Sequence, residues 1–478
     1  MPMNPFASAT VLAGQLRTGK TSALELLDAQ LARIDRHGAA LNAVVTLDAA
    51  RARNQAQELD GRRGDSPPGM LHGLSATIKD SFETAGLLTT CGAPQWKKHV
   101  PAANADAVER LSAAGMIISG KSNVPIYAAD VQTYNLLFGA TNNPWDLSRT
   151  SGGSSGGAAA AVAAGFSAFE LGSDIGGSIR IPAHFCGVYG HKPSYGLVPL
   201  RGHLPPPPGS LAVPDLCVAG PIARSAADLG LLLDVLADSG ADGKTRLPQP
   251  RARRLAEFRV GAWLDDPDFP LDDEVRAPLE NALSVLQKAG VRVDQARPLP
   301  SLAGNFDDYL RLLWPVVTAH LNEKAFARIQ EAGRAAAAGS VRRRLAEYSG
   351  VSHRGWLPVH EKRERVRAHW RDYFARHDVL LCPVGPVCAF PHDHSEDLIE
   401  RTIVINGGKR WYWEQLGWIS LATLAYLPAT SAPVGFSRGG LPVGMQIIGP
   451  YGEDRTCIEF ARLLAEVLPG FQPPPRLK

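Results

Sequence analysis

Apolar residues recur along this chain at two different periods, and the changes of period mark its elements. Leu24, Leu27, Leu31 and Ile34 follow one another at three or four residues, the spacing of one helix face, and Ser22 with Glu25 forms a capping box at its start. His37-Gly38 is expected to stop that helix. Leu41 to Leu47 reads as a strand, and a second helix, rich in Ala and Arg, reaches about Leu59. A polar loop rich in Pro and Gly follows, from Gly61 to Gly69. The next strand, Leu74 to Ile78, ends on Lys79-Asp80. Asp106 to Ala114 predicts a helix and Met116 to Ser119 a short strand. Ala158 to Ala164 is nearly all alanine, hence helix, with Gly165 as its stop. Ala168 to Leu171 leads into a glycine-rich loop. Strands alternating with helices predict an α/β layer fold.

Further along, Leu204-Pro205-Pro206-Pro207-Pro208-Gly209 predicts a stiff, polyproline-like surface loop. A leucine-rich helix is expected from Ala226 to Ala237 and a polar connector over 239–256. A strand is expected from Arg259 to Trp263 and a helix from Asp272 to Ala289. Residues 305–378 read as mostly helical and charged, and Leu380-Leu381-Cys382-Pro383 as a buried strand end. No internal repeat is present.

Composition narrows the class. With 478 residues, 45% hydrophobic and 20% charged, the chain has enough apolar material for a large globular core. The formal net charge is only +3, which argues against nucleic acid or an anionic membrane as the main partner. Arg342, Arg343 and Arg344, and the basic stretch 361–371, read as solvated helix faces. No apolar run approaches the roughly 18 residues that span a bilayer, and the N-terminus has no secretory pattern. Six scattered cysteines without C-x-x-C spacing predict reduced thiols in a cytoplasmic protein. No metal or other cofactor is expected, since His392-Asp393-His394 lacks a third ligand cluster and reads as a polar loop.

The chemistry lies in two glycine-rich stretches, Gly152-Gly153-Ser154-Ser155-Gly156-Gly157 and Gly172-Ser173-Asp174-Ile175-Gly176-Gly177-Ser178-Ile179-Arg180. Glycines beside Ser154 and Ser178 remove Cβ groups and let other atoms approach the backbone closely. This suggests a hydroxyl nucleophile and a loop of bare N–H groups able to hold an oxyanion. A serine needs a base within reach, and no histidine stands in a recognisable catalytic context. A lysine desolvated at a strand end can be neutral and accept a proton. Lys79 has that position, although Lys121 and Lys192 also flank glycine-rich segments.

Leu71-His72-Gly73-Leu74 through Lys79-Asp80-Ser81 resembles the lysine motif of the amidase signature family. Gly152 to Gly157 and Gly172 to Arg180 resemble its serine- and glycine-rich signature. Pro182 to Gly190, Lys192-Pro193, Gly220 to Ser225, Leu427-Pro428-Ala429 and Gly440 to Gln446 continue the likeness. The resemblance implies α/β/α layers around a large mixed twisted sheet. It implies an N-terminal helical segment over 1–65 and a signature domain over 66–470, within which 240–420 is a divergent, substrate-shaping region. It also implies roles: Ser178 as nucleophile, Ser154 as a bridging serine preceded by a cis peptide bond, and Lys79 as base. The N–H groups of Ile175, Gly176, Gly177 and Ser178 would form the oxyanion hole. Asp174 and Arg180 would either steady the loop for catalysis or form a structural ion pair. Ser155 would be a helix N-cap or a lysine contact.

The expected activity is hydrolysis of an amide C–N bond, with esters and carbamates (a urethanase activity) open to the same machinery. The alternatives are the glutaminase subunit of a tRNA-dependent amidotransferase and an inactive binding homologue. The expected partner is a small amide or carbamate, met by a monomer or homodimer. Gly153, Gln132, Tyr134 and Asn135 are candidate substrate contacts, and Leu204 to Pro208 a wall of the entrance. Trp411, Tyr412, Trp413 and Trp418 either pack the core or line an apolar pocket.

Overall fold

A mixed eight-stranded sheet runs through the centre of the protein. Its strand order is Val293–Gln295, Val260–Ala262, Val379–Pro383, Pro442–Ile448, Ala429–Phe436, Tyr189–Lys192, Val218–Ala223, Phe169–Asp174. Val260–Ala262 pairs in parallel with both of its neighbours, and the remaining pairs are antiparallel. The computed structural model describes residues 4–62, 69–237 and 247–477. Most of the polar loop expected at 61–69 and the first part of the connector expected at 239–256 lie outside the described residues.

The strands Phe169–Asp174, Val379–Pro383 and Pro442–Ile448 are buried at every position, as strands covered on both faces must be. Helices Arg180–Cys186, Ala226–Leu236, Asp273–Lys288 and Asp454–Leu464 pack against the sheet. This is the α/β arrangement expected. A smaller sheet sets Ile117–Ser122 between Val44–Leu47, antiparallel, and Ser75–Lys79, parallel. Leu12, Leu16, Leu26 and Leu27 of the N-terminal helices are buried in the same apolar core as the central strands.

Several boundaries differ from the sequence pattern, each for a physical reason. The first long helix does not stop at His37-Gly38 but runs Ala23–Leu41, because Asn42 supplies the left-handed cap. Asn42 sits at φ 48°, donates its N–H to Gly38 O at 2.7 Å and its side-chain amide to Phe138 O at 2.6 Å. The strand expected to end at Ser119 continues to Ser122, since its parallel partner continues to Lys79. The proline loop is not a polyproline helix: the Leu204–Pro205 and Pro205–Pro206 bonds are both cis. The helical region divides into Leu302–Thr318, Glu323–Ala335, Val341–Ser349 and His353–Phe374. The side chains of Ser301, Asn322, Ser340 and Ser352 each cap a fresh start. Arg342 is not simply solvated: it pairs with Asp397 at 2.5 Å and Glu400 at 3.1 Å.

Strands Val218–Ala223, Ala429–Phe436 and Pro442–Ile448 had no strand signal in the apolar pattern. Each contains Gly and Pro, which read as loop in isolation but are held here by pairing on both sides.

Candidate active site

Two strands deliver the polar cluster. Ser75–Lys79 lies beside Phe169–Asp174, with the Ala168 N–H donating to Ser75 O near one end. At the other end Lys79, the last residue of its strand, meets Ser173. Lys79 is fully buried. Its Nζ lies 2.7 Å from Ser154 Oγ, 2.9 Å from Ser155 Oγ and 2.9 Å from Ser173 Oγ. A neutral amine has two N–H donors and one lone pair, so three hydroxyls saturate it. Burial pushes Lys79 down to about 8, against smaller upward pulls from Cys91, Cys217, Asp174 and Glu170.

Three buried lysines compete on paper, and geometry separates them. Burial lowers Lys121 to about 8 and Lys192 to about 7 as well. Yet Lys121 Nζ donates to Phe82 O at 2.5 Å and Thr84 Oγ1 at 2.8 Å, and Lys192 Nζ donates to Pro193 O at 2.8 Å. Lys79 alone of the three meets the serines of the glycine-rich stretches.

Ser154 follows a cis peptide bond from Gly153. A Cβ on Gly153 would stand 2.6 Å from Asp130 O and 2.7 Å from Gln132 N, so the chain passes here only without a side chain. The helix Gly156–Ala163 follows, and Ser155 precedes it without a side-chain capping bond. Of its two expected roles, Ser155 therefore takes the lysine contact. The Ser155 N–H donates to Ser178 O at 3.1 Å, which ties the two serine loops together.

The second loop is organised by a buried ion pair. Arg180 grips Asp174 with two bonds, Nη2 to Oδ1 at 2.8 Å and Nε to Oδ2 at 3.0 Å. It also donates to Ile419 O, Gln446 Oε1 and Thr423 Oγ1, linking the loop to the helix Gly417–Leu424 and the strand Pro442–Ile448. Burial is the largest single influence and raises the Asp174 carboxyl, but the charge and hydrogen bonds of Arg180, with Lys192 and the Ile179 N–H, together hold it below the usual range. Asp174 Oδ1 further accepts the Gly177 N–H at 2.9 Å, and Oδ2 that of Ile179 at 3.2 Å. The Gly177 N–H is thus engaged within the loop. Those of Ile175, Gly176 and Ser178 have no acceptor among the described residues. Gly177 stands at φ 80°, a conformation that favours glycine. Tyr309, buried on the helix Leu302–Thr318, donates to Ile175 O at 2.8 Å. Because C=O and N–H point opposite ways in one peptide plane, this bond also sets the direction of the Gly176 N–H.

Ser178 is 6% exposed and sits where two cavities meet. The larger, about 430 Å³, is walled by Ser154, Ser173, Ser178 and His203 with Pro205 to Pro207 and Val213. The smaller, about 300 Å³, is walled by Gly176, Ser178, Leu313, Trp314, Leu345 and Trp413.

Comparison with known proteins settles the family. The Amidase family model matches residues 25–458. The chain belongs to the amidase signature family. Among its relatives is a glutamyl-tRNA(Gln) amidotransferase subunit from Roseiflexus sp. (strain RS-1), 32% identical over 471 residues that cover 93% of this chain and 92% of that protein. A solved amidase is 32% identical, with a TM-score of 0.80 and coverage of 97% and 100% of the two chains. A bacterial aryl acylamidase of the amidase signature family is 26% identical, with a TM-score of 0.80 and coverage of 97% and 96%.

Within this amidase fold, the other residues singled out by sequence are dispersed. Gln132 and Tyr134 line neither cavity. Gln132 exchanges two bonds with the backbone of Asp393, at 2.7 and 3.0 Å. Tyr134 OH accepts from Arg401 at 2.6 Å and its ring stacks on His394 at 4.1 Å. Asn135 is spent on Asn123 and Val124. The polar His392-Asp393-His394 loop is held by these contacts, and among the described residues no group of three His, Cys, Asp or Glu is placed to hold a metal. The aromatic cluster splits: Trp413 faces the smaller cavity, Tyr412 OH donates to Asp130 at 2.6 Å, and Trp418 packs edge-on to Trp263.

Two contributors escaped the sequence reading. His203 Nε2 lies 2.8 Å from Ser173 Oγ and 3.1 Å from Ser81 Oγ. Burial and the neighbouring Lys79 push it down to about 3, so it is neutral. Its only sequence signal is its place next to the proline loop. Tyr309 has none, since one tyrosine on a buried helix face looks like core.

Proposed function

We propose that this amidase-family hydrolase cleaves the C–N bond of small amides through an acyl-enzyme on Ser178. Neutral Lys79 takes the Ser154 proton as Ser154 takes that of Ser178, and Ser178 Oγ attacks the carbonyl carbon. The oxyanion forms beside the N–H groups of Ile175, Gly176 and Ser178. As the C–N bond breaks, Ser154 returns a proton to the departing nitrogen and recovers one from Lys79. Water then attacks the acyl-Ser178 ester by the same relay, releasing the acid. Esters and carbamates reach a similar tetrahedral state and are included in the reading. The observation that carries it is the buried 2.7 Å contact of Lys79 with Ser154, a serine that lines the same cavity as Ser178. Asp174 and Arg180 shape the loop, while Gly177, its N–H given to Asp174, acts through its backbone conformation. Six cysteines free of disulfides support a cytoplasmic setting.

The test is hydrolysis of an anilide by the purified chain and by Ser178→Ala. Loss of at least 10³-fold in kcat is expected, on the scale of removing a serine nucleophile; undiminished turnover by Ser178→Ala would end the proposal.

The Roseiflexus relative, at 32% identity, favours a second reading, a glutaminase subunit of a tRNA-dependent amidotransferase. It predicts ammonia release from glutamine that rises when partner subunits are added. Turnover of anilides without partners, and none of glutamine with them, would exclude it.

A further inference from the structure

We propose that the substrate carries an apolar group on each side of the scissile bond, with the amine arm in the larger cavity and the acyl arm in the smaller. The inference rests on Ser178 as nucleophile and Ser154 as proton carrier, and adds what they act on. Both cavities reach Ser178 and share Ala128, Ala129, Ile175 and Val317, so a molecule bonded at Ser178 has space in two directions. They differ in their polar atoms. Ser154 and Ser173 face only the larger cavity, and Gly176 only the smaller.

That difference orients the substrate. The departing nitrogen must receive its proton from Ser154 Oγ, so the nitrogen and its substituent lie on the side where Ser154 is exposed. The acyl chain then extends the other way, past Gly176. The arms are apolar because the walls are. Pro205, Pro206, Val213, Pro214, Pro315 and Val316 surround the first, and Leu313, Trp314, Leu345, Leu398, Ile399 and Trp413 the second.

The charges in these walls are already matched within the protein. Asp130, beside the smaller cavity, is paired with Arg401 at 2.7 Å and accepts from Tyr412 at 2.6 Å. Arg342 is paired with Asp397 and Glu400. The His203 ring is neutral, and burial lowers His320 as well. A substrate bearing its own ammonium and carboxylate would leave water and displace one of these pairs to be matched, whereas a neutral two-armed amide would not.

Four amides test this with the purified full chain: acetamide, acetanilide, hexanamide and N-phenylhexanamide. N-Phenylhexanamide is expected to exceed each one-armed amide at least tenfold in kcat/KM. Val213→Trp narrows the larger cavity and is expected to lower the ratio of N-phenylhexanamide to hexanamide at least tenfold. Ala332 lines the smaller cavity, and Ala332→Trp narrows it and is expected to lower the ratio of N-phenylhexanamide to acetanilide at least tenfold. Ratios within one variant are insensitive to how much of it folds. A reversed pattern, or ratios unmoved in both variants while Ser178→Ala is inactive, would overturn the two-arm assignment alone. Full activity of Ser178→Ala would instead overturn the nucleophile on which it rests.

Discussion

A lysine works as a base only when its proton is absent, and burial brings Lys79 closer to that condition by lowering its affinity for the proton. Its held-down value of about 8 sets a pH dependence with a definite sign. In the proposed relay the deprotonated form is the active one, so kcat/KM is expected to rise about tenfold per pH unit below 8 and to level off above it. A pH–rate profile on a neutral amide checks this, and a flat profile from pH 6 to 9 would exclude Lys79 as the base. Residue chemistry was the most legible part of the chain. Lys79 at a predicted strand end and serines between glycines stood out in the sequence, and the fold brings Lys79 against Ser154. The partners Ser155 and Ser173 lie in the same stretches, whereas His203 joins the cluster from a loop far along the chain.

At the scale of elements, the signature loop is held in shape by what surrounds it. Arg180 anchors it from one side, and the helix Leu302–Thr318 anchors it from the other through Tyr309. Tyr309→Phe keeps the ring and its packing but releases the Ile175 carbonyl. The lost bond is worth about 1 kcal/mol, so kcat is expected to fall about fivefold with KM nearly unchanged. Steady-state kinetics on an anilide reads this; a change confined to KM would place Tyr309 in substrate binding instead. The helix that carries Tyr309 was visible as helical pattern, but its purpose was not. Local periodicity reports which face of a helix is buried and is silent on what that face touches. Gln132 and Tyr134 illustrate the converse. Their nearness to the motif suggested substrate contact, while long-range bonds to Asp393 and Arg401 occupy them.

For the molecule as a whole, the N-terminal segment is bonded into the same body as the site. Val44–Leu47 forms the outer strand of the small sheet that carries Lys79. Arg33 donates to Ala164 O at 2.9 Å and to Leu477 O at 2.9 Å, joining the first helices, the serine helix and the C-terminal segment. Removal of residues 1–47 would bare the edge of Ile117–Ser122 and the core positions of Leu12, Leu16, Leu26 and Leu27. The truncated chain is expected to aggregate, read as loss from the soluble fraction on expression; a soluble, fully active product would show the segment to be dispensable.

The sequence by itself determined the family, the α/β alternation and the residue types able to do acyl-transfer chemistry, because motifs and periodicity are local and survive in one dimension. Tertiary structure decided that Tyr309 holds the Ile175 carbonyl, and that Gly177 gives its N–H to Asp174. It also decided that two apolar cavities meet at Ser178. Those outcomes depend on segments far apart in the chain meeting within hydrogen-bond distance, and no spacing along the chain encodes such a meeting.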